Sequence, residues 1–185
     1  KLIKYGEFDL HSAEIKNAID GHPELSAINL SVFENQLYVE RALFPVKLRG
    51  LEIPSFVIPI KPRWASELFD HLAASAKLFG ANEHLSWNRE NIYYRSYNPN
   101  VEKTPGRILW YVSMGKNIPR SKGIVACSYL DEVSVGPAKQ LFKRFEKYGV
   151  YEWRHIYDLA KQDSSKEIKA IRFSDTEVFN NVVKL

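Results

Sequence analysis

Proline and glycine limit what this chain can fold into more than any other feature. From Pro54 to Gly149 they recur at short intervals and cut the apolar stretches into pieces of strand length. Neither residue is at home inside a helix or a central strand. The pieces between them are aromatic or β-branched. Phe56 to Ile60, Asn91 to Ser96, Arg107 to Ser113 and Gly123 to Leu130 each predict a strand, and Pro59 gives the first an edge position or an early end.

Three stretches change period from two to helical. Trp64, Leu68, Leu72 and Phe79 are near-helically spaced, with Gly80 where a left-handed cap belongs. Pro137 starts an amphipathic helix that buries Ala138, Leu141, Phe142, Phe145 and Tyr148 and stops at Gly149. A second helix, from Glu152 to Lys161, puts Trp153, Ile156, Tyr157 and Ala160 on one side, and a strand from Glu167 to Ser174 closes the pattern. Ahead of this body, Ser12 caps a short helix that buries Ile15, Ala18 and Ile19 and ends at Gly21. Two β-like runs follow, Ser26 to Phe33 and Leu37 to Phe44, joined by Glu34-Asn35-Gln36. The expected organisation is an annex of helix plus hairpin over residues 1–50 and a main domain over 51–185, with a soft boundary near Gly50.

A chain of 185 residues, 45% apolar and 13% aromatic, buries one good core plus a small annex. No run approaches the roughly 18 apolar residues of a membrane-crossing helix, so no membrane partner is expected. The single Cys127 sits in the run Ile124-Val125-Ala126, reads as a small buried hydrophobe and makes the cytoplasm the simplest compartment. With 26 basic against 22 acidic residues and a pI near 9.0, the chain favours a polyanionic partner. It opens Lys1-Leu2-Ile3-Lys4-Tyr5, without a secretory pattern, and reads as a piece of something longer.

Against this background Ile60-Lys61-Pro62-Arg63-Trp64-Ala65-Ser66-Glu67-Leu68 resembles the opening of ASCH domains, where a strand ending in Lys-Pro precedes a helix. The segment Thr104-Pro105-Gly106-Arg107-Ile108-Leu109-Trp110-Tyr111-Val112-Ser113 is similar to the turn and strand shared by ASCH, EVE and other PUA-like domains. Gly123 to Leu130 and Ile168 to Phe173 stand where their returning and closing strands do. The resemblance covers about two-thirds of the chain. It implies an α+β fold: a small mixed β-barrel of the PUA-like, ASCH type with flanking helices, preceded by the small α/β annex. Gly149-Val150-Tyr151-Glu152-Trp153 and Phe173 to Phe179 also resemble the C-terminal part of multidomain prokaryotic proteins, which implies an acetyltransferase-like neighbour domain. ASCH domains carry a Gly-x-Lys-x-x-Glu-x-Arg signature; here Arg95 stands at the Arg position and Tyr93 at the Glu position, and the insert from Ala81 to Glu90 obscures the Lys.

A PUA-like barrel offers a concave mouth where an arginine fork grips phosphate or a base edge and an aromatic face stacks on a base. Arg95 flanked by Tyr93, Tyr94 and Tyr97, with Trp87 and Arg89 upstream, supplies that mixture. Lys61 and Arg63 at the strand-to-helix turn form a second candidate, for phosphate. Two basic loops add Lys103 and Arg107, then Lys116, Arg120 and Lys122. The helix face Lys139, Lys143, Arg144 and Lys147 matches a phosphate backbone or simply a solvated surface.

The catalytic search is less rewarding. The five histidines and one cysteine show no metal-ligand spacing, and no nucleophile elbow or phosphate-binding glycine loop is present. Ser174-Asp175-Thr176-Glu177 reads as a turn or helix cap. The leading expectation is therefore a nonenzymatic module that binds RNA or a modified base, without metal or cofactor. The alternatives are a hydrolase on a modified nucleoside or RNA, with Lys61 as amine and Glu67 or Glu90 as acid, and a regulatory protein-interaction domain.

Overall fold

The computed structural model describes residues 7–44, 46–51, 53–69, 89–113 and 122–185. The chain divides into two compact units, Lys1–Ile53 and Pro54–Leu185. Among the described residues no helix is long and apolar enough to cross a membrane.

In the first unit β1 (Glu7–Asp9) is followed by α1 (Ala13–Asp20), α2 (Pro23–Ser26), α3 (Phe33–Ala42) and β2 (Lys47–Arg49), and the two short strands pair in parallel. Ser12 caps α1, its Oγ accepting the Ile15 amide at 3.3 Å. Ile15 and Ile19 turn inward to join Leu10, Leu25, Val39, Val46 and Leu48 in a local core. Gly21 closes the helix at φ −77°, an ordinary right-handed conformation.

The expected hairpin over Ser26 to Phe44 is not formed, since residues 33–42 are helical. The alternation Leu37, Val39, Arg41 has strand period, yet Glu34, Gln36, Leu37, Glu40, Arg41 and Ala42 are all good helix formers. Side chains then tie the helix down. Asn35 and Gln36 donate to the carbonyls of Asn29 (2.9 Å) and Leu30 (2.7 Å), and the buried Glu40 accepts the Leu48 amide of β2 at 2.7 Å. These contacts satisfy polar groups that would otherwise be costly to bury.

The second unit is a five-stranded sheet ordered β3-β5-β6-β7-β4, built from β3 (Ser55–Ile60), β4 (Glu90–Ser96), β5 (Gly106–Val112), β6 (Gly123–Pro137) and β7 (Glu167–Val183). Only β3 and β5 run parallel. β3 is an edge, as Pro59 requires. The edges come together where the Tyr93 hydroxyl of β4 donates to the Pro59 carbonyl of β3 at 3.2 Å, so the sheet curls into a half-barrel. Both long strands extend past their expected ends. β6 and β7 remain paired from Pro137↔Glu167 to Ile124↔Val183, through three register shifts that bend them with the barrel. Ser174 to Glu177 therefore lies inside β7 rather than in a turn, and Asp175, at φ +48°, marks an irregularity within it.

Directly opposed residues of an antiparallel pair share a face. The inward rows therefore read Tyr93, Ile171, Val133 and then Arg95, Lys169, Val135 across β4, β7 and β6. Trp110 of β5 centres the interior, its ring centroid 5.4 Å from Tyr93 and from Phe69, and 4.7 Å from Phe173. Phe69 comes from α4 (Pro62–Phe69), which fills the half-barrel. Its expected continuation through Leu72 and Phe79 to Gly80 lies outside the described residues. The indole N–H of Trp110 donates to Ser128 at 2.8 Å, and Ser128 is linked to Thr176 at 2.8 Å, so this buried polar chain is satisfied.

The outward face of β4 and β7 is covered by α5 (Ala138–Phe145), a 3-10 turn (Glu146–Tyr148) and α6 (Trp153–Leu159). Ala138, Leu141 and Phe145 supply the buried stripe of α5. Cys127 is buried in β6.

Candidate functional site

The inward face of the half-barrel changes character at the Ser96 end of β4. Behind Tyr93, Ile171 and Val133, the next row is Arg95, Lys169 and Val135. Lys169 is wholly buried. Its ammonium reaches the Glu102 carboxylate and the Pro99 carbonyl, both in the loop between β4 and β5. Arg95 completes the group, with Nη1 3.3 Å from Glu102 Oε1 and its side chain 15% exposed. Two cations around one carboxylate leave a net positive charge at this end of the barrel.

Burial raises the Glu102 pKa, but the hydrogen bond from Lys169, a backbone N–H and the charges of Lys169 and Arg95 outweigh it, and the carboxyl is held below its usual value. The ion group also anchors its loop, in which the Val101 amide donates to Glu102 Oε2 at 3.3 Å. Around it the surface is apolar and wet. Val101, beside Glu102, is 59% exposed; Tyr97, two residues beyond Arg95, is 38%; Val135, the cross-strand partner of Lys169, is also 38%.

The expected site residues do not share one place in the fold. Arg95 faces inward at the end of the barrel, and Lys103 is exposed in the anchored loop. Tyr94 is a correction: its side chain points to the outward face, stacks edge-on against Tyr151 at 5.2 Å and donates to the Leu141 carbonyl at 3.5 Å. Burial pushes its phenol pKa well up, and no face of the ring is left for a base. Successive strand residues point to opposite faces, and here helices cover one while Tyr93 and Trp110 fill the other. Arg89 is exposed but held 2.7 Å from the buried Asp175 carboxylate. Arg107 is half-buried at the start of β5, on the face opposite Ile108 and Trp110. Trp87, Lys116 and Arg120 lie outside the described residues.

Lys61 and Arg63 stand where α4 begins, with Lys61 exposed. Arg63 is strongly organised. Its Nε donates to Glu67 at 3.0 Å, its guanidinium lies 4.7 Å from the Trp64 ring, and Nη2 is 3.3 Å from His155 Nε2 on α6. Trp64 is in turn wedged between Tyr151 (4.3 Å) and the ring of His155 (4.9 Å, interplanar angle 73°). Lys139 and Lys143 on α5 and Lys147 in the 3-10 turn are exposed, whereas Arg144 is taken by Glu132 at 2.6 Å.

Both acids expected for hydrolysis are already paired with arginines. Glu67 is occupied by Arg63, and Glu90 is 3.0 Å from Arg172, which also meets Glu132. Sequence reasoning missed Lys169, Glu102 and His155. Lys169 alone carried a usable signal, since it occupies an inward phase of the alternation Lys169, Ile171, Phe173, where an apolar residue is the norm.

No protein-family model matches the sequence, and no curated protein matches it. Solved structures do. The crystal structure of a tyrosine-to-phenylalanine variant of the ASCH protein from Zymomonas mobilis is 15% identical, with a TM-score of 0.50 over 71% of this chain and 76% of that one. The unsubstituted protein is 16% identical, with a TM-score of 0.47 over 70% and 73%. Similarity of this kind speaks to the fold and leaves the chemistry to the side chains.

Proposed function

We propose that the ASCH-type, PUA-like fold of residues 54–185 serves to bind nucleic acid, with RNA as the favoured partner, at the end of the half-barrel where Arg95 faces inward. The observation that carries this reading is the change of the inward row from apolar to Arg95 and Lys169, bordered by exposed Tyr97, Val101 and Lys103. An arginine beside an exposed aromatic is the pairing that single-stranded RNA uses, with a base on the ring and phosphate on the cation. Charge distribution supports it. Residues 54–185 contain 20 basic and 14 acidic side chains, a surplus of six, while residues 1–53 contain 6 basic and 8 acidic, a deficit of two. The positive charge is concentrated in the unit that carries the candidate site.

The test is binding of the full chain to labelled single-stranded RNA, duplex RNA and DNA, alongside Tyr97→Ala, Lys103→Ala and Arg95→Gln. Loss of a stacked base costs about 1–3 kcal/mol, so Tyr97→Ala should weaken RNA binding between roughly fivefold and 150-fold. Equal binding by all three variants would remove the site assignment, and no binding of any nucleic acid would remove the reading.

One observation favours a hydrolase as the second reading, namely a lysine and a carboxylate in hydrogen-bond contact, Lys169 and Glu102. The arrangement suits anchoring better than chemistry. Both groups are buried, and a catalytic amine would have to shed its proton against the adjoining carboxylate. Turnover of a modified nucleoside that disappears in Lys169→Met, with the fold intact by circular dichroism, would reverse this preference.

A further inference from the structure

His155 makes two contacts that one neutral imidazole cannot both satisfy. Its Nδ1 lies 3.2 Å from the backbone N–H of Glu152, in the capping box that starts α6. Its Nε2 lies 3.3 Å from Nη2 of Arg63. Each neighbour is a donor, whereas a neutral histidine has a single acceptor nitrogen. The Glu152 amide belongs to the backbone at the helix start and cannot turn away, so it claims the lone pair of Nδ1, and the ring proton falls on Nε2. Nε2–H and Arg63 Nη2–H then face each other as two donors with no acceptor between them.

Further contacts hold both groups in this arrangement. Arg63 is fixed at Nε by Glu67, which also balances part of its charge, and lies on the Trp64 ring. His155 is held at Nδ1 by the cap, and its ring packs at a steep angle against Trp64. The nearby acid Glu152 is engaged by Arg154 at 3.0 Å. A fixed, outward-facing pair of donors, one of them permanently cationic, matches an oxyanion whose separate oxygens take one hydrogen bond each.

We infer that Arg63 and His155 form a phosphate-binding subsite, with Arg63 Nη2–H and His155 Nε2–H each donating to a phosphate oxygen. It deepens the nucleic-acid reading, on which the choice of phosphate over other oxyanions rests, and it adds His155 to the residues that meet the ligand. Backbone diester and terminal monoester share this chemistry. Lys61, two residues before Arg63 and exposed, contributes further positive charge at the same turn.

The test uses the full chain and nitrogen NMR of the imidazoles. Without ligand, His155 should be the tautomer protonated on Nε2, and inorganic phosphate should shift its Nε2 signal saturably. Arg63→Gln, at a side chain 61% exposed, should leave the fold intact and weaken this response by about tenfold or more, the fold-change of one charged hydrogen bond. RNA with and without a 5′-phosphate separates the sources, since a terminal site responds only to the former and a backbone site to both. A His155 protonated on Nδ1, no response to phosphate, or a response unchanged in Arg63→Gln would each overturn the subsite. A saturable, Arg63-dependent phosphate response without RNA binding would keep the subsite and reject the wider reading. RNA binding lost in Tyr97→Ala, with His155 silent to phosphate, would do the reverse.

Discussion

Lys169 occupies a place in the inward row where an apolar side chain would complete the core, and it is tolerated only because the Glu102 carboxylate and the Pro99 carbonyl accept its hydrogen bonds. Removing one partner of such a buried pair strands the other, at a cost of about 3–5 kcal/mol. Lys169→Met should therefore destabilise the protein in urea unfolding by up to that amount, Arg95 still standing 3.3 Å from the carboxylate. The double substitution Lys169→Met with Glu102→Leu should recover part of the loss, because the lysine and its carboxylate are then both gone and Arg95, 15% exposed, is the one charge of the group left to find water. A single substitution costing under about 1 kcal/mol would place the pair among surface bridges of little weight. The depressed pKa of Glu102 gives the same group a pH signature. Its ionised form is favoured by folding, so it contributes stability fully above the unfolded carboxyl value of about 4.3 and loses it as pH falls through the lower folded value. The stability difference between the parent and Glu102→Gln should be constant near neutrality and shrink below about pH 4; a difference that grows on acidification would mean the opposite sign. Arg95 was legible in the sequence from its tyrosine-rich strand. Glu102 was not, because it sits in a loop without periodicity and acquires its role only when the loop folds back onto β7.

The elements were legible wherever a residue with a strong positional preference stood where that preference is met. Pro137 starts α5, Ser12 caps α1 and Pro59 lies in an edge strand. Legibility failed where pairing overrode composition. Nothing in Ser174-Asp175-Thr176-Glu177 looks like the middle of a strand, and its partners on either side, Tyr129 and Cys127 of β6 and Glu90 of β4, hold it there. Similarly, the helix of residues 33–42 was hidden by a chance alternation that puts Glu40 on the solvent side, whereas in the helix Glu40 is buried. The β6–β7 arm also explains Gly123. A Cβ at this position would lie 2.3 Å from Val182 Cγ1 and 2.7 Å from the Val183 carbonyl oxygen. At Gly149 it would lie 2.4 Å from Ile92 Cγ2. Overpacking of this kind costs about 1–3 kcal/mol, so Gly123→Ala and Gly149→Ala should each lower the denaturation midpoint by a matching amount. Gly21→Ala is the contrasting case. Its Cβ would meet nothing nearer than the Asn17 oxygen at 3.4 Å, and φ is −77°. It should be neutral or stabilise by up to about 1 kcal/mol, and equal losses at all three positions would refute the packing argument.

At the scale of the whole molecule the decisive quantity is the separation of charge, a surplus of six in residues 54–185 against a deficit of two in residues 1–53. The second unit has its own core around Trp110, Phe173 and Ile171, so residues 54–185 should fold alone and retain RNA binding. Salt dependence then counts the phosphates engaged, because each one neutralised on a single strand contributes about −0.7 to the slope of log affinity against log salt. Arg95, Lys103 and Arg63 together call for about three contacts and a slope near −2. Lys103→Ala should make that slope shallower by about 0.7 and weaken binding to all sequences alike, since a phosphate contact carries no base information. Tyr97→Ala should weaken binding without changing the slope, because a stacked ring displaces no counterions. The two substitutions thus separate the charged from the aromatic half of the interface. A slope near zero, or binding that survives only with residues 1–53 attached, would mean that the basic unit is not the surface that meets the nucleic acid.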